Sequence, residues 1–86
     1  MTDADRETLR ALADEGNEKA LDRLAELADQ GGDLVELSEL LDEGSERAGE
    51  LLTRRAAERK DLVELQRIAD AGYDEAGDVL NRLLDS

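Results

Sequence analysis

Asp33-Leu34-Val35-Glu36-Leu37 and Asp61-Leu62-Val63-Glu64-Leu65 are one pentapeptide occurring twice, 28 residues apart. The interval holds well beyond that pair. Gly16, Gly44 and Gly72 keep it, as do Leu12, Leu40 and Ile68, Ala20, Ala48 and Ala76, and Leu24, Leu52 and Leu80. A fixed period of this length marks a chain built from stacked copies of one supersecondary unit. The 86 residues divide into units 5–32, 33–60 and 61–86, and the whole chain, 1–86, reads as a single repeat domain.

Each unit reads as two short helices. In the second, Asp33 can cap the start, Leu34, Leu37, Leu40 and Leu41 follow at helical spacing, and Gly44 can turn left-handed after the helix. Ser45 then caps a second helix whose apolar stripe is Ala48, Leu51, Leu52 and Ala56. The first unit repeats the plan with Leu9, Leu12 and Ala13, then Asn17 as cap before Ala20, Leu21, Leu24, Leu27 and Ala28. In the third, Tyr73 holds the capping slot, so Asp74 is expected to cap one residue later. Connections this short permit only antiparallel neighbours. One stripe per helix cannot be buried within one hairpin, so the expected fold is all-α: an α-solenoid of three helix-turn-helix repeats, six short antiparallel helices.

Two irregularities concern packing. Gly49 and Gly77 lie inside second helices, where glycine costs about 1 kcal/mol relative to alanine, and close approach of a neighbouring helix is the expected compensation. The ends of the array also differ. Arg6-Glu7 replaces the Leu-Val of later units and reads as a polar cap, whereas Leu83-Leu84 stands where the middle unit has Arg55-Ala56. The last helix, with Val79, Leu80, Leu83 and Leu84, either folds deeper onto the core or packs against a second copy.

Composition supports this plan and removes most alternatives. The apolar set is almost entirely leucine (16) and alanine (12), which favours helix over strand. There is no His, Cys, Trp, Phe or Pro, so imidazole or thiolate metal ligation, thiol nucleophiles, disulfides and histidine acid–base chemistry are excluded. With 24 Asp+Glu against 11 Lys+Arg the net charge is −13, which repels nucleic acid and anionic membranes. No apolar run is long enough to span a bilayer, and a cytoplasmic location is expected.

The units resemble the short tetratricopeptide-like helical-hairpin repeats of actinobacterial proteins. The residues behind this are Asp-Leu-Val-Glu-Leu, Ile68-Ala69-Asp70-Ala71-Gly72 and Asp74-Glu75-Ala76-Gly77, and the Ala/Gly-x-x-x-Leu second helix is similar to the Sel1-like branch. The likeness covers residues 5–86. It departs from the tetratricopeptide pattern in its 28-residue period, against about 34, and in lacking the aromatic positions. The resemblance implies a scaffold that holds a peptide or protein in a groove and transfers no catalytic residues. An engineered array and an excerpt of a longer array are the other origins open to such a chain, although Tyr73, Asn81 and Gly31-Gly32 break the regularity an engineered one would have.

Chemistry-bearing groups were sought among the carboxylates. Asp14-Glu15-Gly16-Asn17-Glu18, Asp42-Glu43-Gly44-Ser45-Glu46 and Asp70-Ala71-Gly72-Tyr73-Asp74-Glu75 miss the calcium-loop pattern and fit helix ends. The serines Ser38, Ser45 and Ser86 lack an activating base, and catalysis is not expected. Neither cofactor nor metal is expected. Arg47, Arg54, Arg55, Arg59 and Lys60 crowd one helix, where they complement its carbonyl end and Glu50 pairs with Arg54; the alternative reading is a docking patch for an acidic partner. If the first helices line an inner groove, Arg10, Glu36, Glu39, Glu64 and Arg67 would contact a partner, a mostly acidic lining suited to a basic or polar peptide. Tyr73 is expected to pack locally over its hairpin.

The expected function is a non-catalytic protein-interaction scaffold. A structural or engineered module self-associating through Val79, Leu83 and Leu84 is the first alternative, and an acidic nucleic-acid mimic that sequesters a basic protein the second. The expected partner is a protein or peptide, with the chain itself a monomer or weak homodimer.

Overall fold

In the computed structural model, residues 3–85 are described, with side chains from Asp5 onward. Six helices run Asp3–Asp14 (α1), Glu18–Gln30 (α2), Leu34–Asp42 (α3), Glu46–Glu58 (α4), Leu62–Asp70 (α5) and Glu75–Leu84 (α6). There is no strand among the described residues, so the fold is all-α, as the composition required.

The turns explain why the helices are short. After α3, Gly44 sits at φ 103°, its N–H donates to the Leu41 carbonyl, and the Ser45 N–H donates to the Leu40 carbonyl. That is the paired bond pattern that closes a helix through a left-handed residue. The Ser45 Oγ then accepts from the Ala48 N–H at 3.0 Å, so one residue ends α3 and opens α4. Asn17, Asp33 and Asp61 do the same for α2, α3 and α5. Tyr73 closes α5 but has no side-chain acceptor to cap with. Asp74 takes the N-cap position of α6 as expected, yet it is in the helical region and makes no side-chain cap bond.

Within each unit the two helices pack as an antiparallel pair, and each later unit lays its first helix on the preceding second helix: α3 on α2, α5 on α4. The second helices α2, α4 and α6 also stand side by side. The first helices do not pack on one another among the described residues, so they occupy the wider-spaced side of the stack. The spine of second helices is the close-packed side.

One apolar cluster runs through all three units, with Leu24, Leu37, Leu40, Leu65 and Ile68 fully buried in it. Ala48, Leu51, Leu52 and Ala56 are buried as their spacing requires, and Ala25, Gly49 and Thr53 join them. Leu34 and Leu12 depart from the expected stripes. They are more than one-third exposed, Leu34 in the first turn of its helix and Leu12 in the first unit.

Polar links tie the first two second helices together. Ser45 Oγ donates to Asp22 Oδ1 at 3.1 Å, and Arg55 donates through Nε to Asp29 Oδ1 at 2.6 Å and through Nη2 to the Asp29 carbonyl at 2.8 Å. Exposed ion pairs contribute about 0–1 kcal/mol each, so these bonds set register while leucine and alanine burial supplies stability.

Candidate binding clefts between the first helices

Because the first helices stand apart and meet only through long side chains, a cleft opens between each successive pair, floored by the second helix beneath. The α3/α5 cleft encloses about 320 Å³ over Leu52 and Ala56. Its walls are Leu34, Val35 and Ser38 from α3 and Asp61, Glu64 and Arg67 from α5, with Arg55 and Arg59 from α4 at the rim. The α1/α3 cleft, about 370 Å³, is lined by Arg6, Glu7, Arg10, Leu24 and Glu36. Each of these lies 28 residues before Leu34, Val35, Ser38, Leu52 and Glu64. The two clefts are therefore one repeat-encoded feature with different side chains.

The differences are chemical. In the α1/α3 cleft, Arg6 crosses to Glu36, and Arg10 bonds Glu43 with a further contact to Asp14 at 3.5 Å, so the cleft is strapped by ion pairs. In the α3/α5 cleft the same wall positions are Leu34 and Val35, and the floor is aliphatic. There Glu64 holds Arg67, and that hydrogen bond raises the guanidinium pKa. Arg67 Nη2 also reaches Ser38 Oγ across the cleft at 3.0 Å. The Asp61 carboxylate is engaged in capping, accepting from the Glu64 N–H at 3.1 Å. Arg55 is engaged with Asp29, while the Arg59 side chain is exposed and has no partner among the described residues.

The five residues read from sequence as contacting a partner are thus divided. Arg10 and Glu36 belong to the α1/α3 cleft, Glu64 and Arg67 to the α3/α5 cleft, and Glu39 is exposed and lines neither. They do not form one acidic groove, because α1, α3 and α5 are separated by the clefts themselves. Arg6-Glu7, read as a polar cap on the array's end, instead faces the second unit inside a cleft. Leu34, Val35 and Leu52 escaped the sequence reading as site residues, and Arg59 entered it only within the cationic cluster of the middle unit. The signal that could have found them is the exchange of Arg6-Glu7 for Leu34-Val35 at one repeat position.

At the last helix, Val79 and Leu83 pack partly against the core while Leu84 stays 60% exposed. Arg54 bonds Glu50 at 3.3 Å, as expected for the i,i+4 pair. Among the described residues no group of three or more carboxylates is placed to hold a metal ion, and no helix is long and apolar enough to cross a membrane.

Comparison with protein-family models, with curated proteins and with solved structures found no match.

Proposed function

We propose that the chain is a non-catalytic protein-interaction scaffold of tetratricopeptide-like helical repeats, acting in the cytoplasm, and that it holds a partner segment in the α3/α5 cleft. The observation that carries this reading is the contrast between two repeat-related clefts. One carries the charged pair Arg6 and Glu7 at two wall positions, with Arg6 held by Glu36, whereas the other has the exposed aliphatic Leu34 and Val35 there, beside Arg59, which has no partner among the described residues. An exposed aliphatic trough with a polar rim is the form of a peptide site. The lining favours a segment that offers an aliphatic side chain to Val35 and Leu52 and a carboxylate to Arg59, since a charge-assisted bond to arginine fixes orientation as well as adding energy.

The test is fluorescence anisotropy with short labelled peptides that share their leucines and differ in charge, one set carrying Glu and the other Lys. The leucine–glutamate set is expected to bind, and Arg59→Glu to weaken it by about tenfold, or ~1.4 kcal/mol. Equal binding of both sets, or none, would overturn the reading.

A further inference from the structure

We propose that copies of this chain stack head to tail, the α5–α6 end of one receiving the α1–α2 end of the next in the register of the molecule's own internal junctions. This inference stands apart from the cleft reading and does not depend on it.

The two ends expose what the junctions bury. Leu40 and Ile68 are 0% exposed because a preceding second helix covers them, while their counterpart Leu12 is 37% exposed. At the other end, Leu24 and Leu52 are buried beneath a following unit and their counterpart Leu80 is only partly covered. Ala56 is buried and its counterpart Leu84 is 60% exposed. One chain therefore carries both halves of an interface that it already forms twice internally.

Charge follows the same logic. Internal junctions are strapped by Arg6–Glu36, by Arg67 on Ser38 and by Arg55–Asp29. On the open ends the counterparts of Arg6 and Glu36 are Leu62 and Thr8, and those of Ser38 and Arg67 are Gln66 and Ala11, all uncharged, while those of Asp29 and Arg55 are Asp85 and Leu27. An end meant to face water carries polar caps.

Two finer details fit. Ser45 Oγ donates to Asp22 across the first junction, and the counterparts of that pair at the open ends are Asn17 and Asp78, again a donor and a carboxylate. Gly77 occupies on α6 the place of Gly49 on α4, where the Tyr73 ring of the next unit inserts, yet nothing in the molecule comes closer than 3.8 Å to a β-carbon built there. A turn residue of a following unit is what that space accepts. A two-fold contact of α6 against α6 would leave Leu12 uncovered and is disfavoured. Stacking of unlike faces has no two-fold limit, and continuing the register of the internal junctions extends the elongated 45 Å array end to end.

The test is molar mass by light scattering against concentration in about 0.5 M salt, where screening reduces repulsion between copies to roughly 4 Å in range. The wild-type mass is expected to rise with concentration past twice 9.4 kDa without a plateau. Leu84→Lys should block one end, and Ala11→Lys with Leu12→Lys the other, each with helicity retained by circular dichroism. Each blocked variant alone is expected to be monomeric. Their equimolar mixture is expected to form a species of twice 9.4 kDa that does not grow, because one good end of each kind remains. A wild-type monomer up to about 1 mM would overturn the proposal. So would a plateau at two copies, or the Ala11→Lys, Leu12→Lys variant dimerising by itself, which would indicate a two-fold contact.

Discussion

The ring of Tyr73 lies against the backbone of Gly49, so closely that a β-carbon at Gly49 would come within 2.6 Å of ring atoms Cγ and Cδ1. A helix-interior glycine is thereby explained by a side chain from the next unit's turn, not by the approach of another helix. The relationship joins two units: α4 gives up helix propensity so that the one aromatic residue can pack across the junction. Gly49→Ala should destabilise the chain by about 1–3 kcal/mol in urea unfolding, because overpacking outweighs the ~1 kcal/mol of helix propensity gained. In a Tyr73→Ser background the same substitution should stabilise. A double-mutant cycle with no coupling would contradict the contact.

The junctions between units turn through a left-handed residue, which is Gly32 at φ 70° in the first and Lys60 at φ 54° in the second. A side chain in that region costs roughly 1–2 kcal/mol. Lys60→Gly should therefore raise stability by about 1 kcal/mol and Gly32→Ala lower it by a similar amount, read from urea midpoints at constant slope. Opposite signs would mean that the second junction turns differently.

Thr53 is buried in the middle of α4 with its hydroxyl unpartnered, at the position where α2 carries the fully buried Ala25. An orphaned buried hydroxyl is a standing cost, and valine keeps the shape without it. Thr53→Val should raise stability by about 1 kcal/mol in thermal or urea unfolding. A loss of that size would reveal a partner for the hydroxyl.

The Tyr73 hydroxyl donates to Glu75 Oε2 at 2.9 Å, and its pKa is pushed up to about 12, chiefly by burial, then by that bond and by the carboxylates of Glu75, Glu50 and Glu46. A folded pKa above the unfolded value of about 10 means the neutral phenol is favoured by folding. Its contribution is complete below pH 10 and is lost as pH rises toward 12. Phenolate absorbance should titrate near 12 in the folded chain and near 10 in urea. Tyr73→Phe should remove this part of the alkaline stability loss.

The repeat period made the helices legible. The capping roles of Asn17, Asp33, Ser45 and Asp61, the turn at Gly44 and the buried stripe Ala48, Leu51, Leu52 and Ala56 all follow from local rules that sequence displays directly. What lay beyond reach was set by distances between units. Periodicity places Leu34 and Leu12 on apolar faces but cannot say that no neighbour covers them. It does not reveal that the first helices stand apart, which turned one expected groove into two clefts and moved Arg6-Glu7 from an end to an inner wall. Arg55 fits a helix-end charge by position, whereas its bond to Asp29 spans two units.

The central claim is that the surface between α3 and α5 is where this scaffold meets a partner. The most direct measurement is residue-by-residue mapping of amide and methyl shifts as a leucine–glutamate peptide is added to isotopically labelled protein. The account predicts the largest changes at Val35, Ser38, Leu52, Ala56 and Arg59, with the α1/α3 cleft around Arg6 and Leu24 unmoved. Changes confined to the spine of α2, α4 and α6, or equal in both clefts, would contradict it.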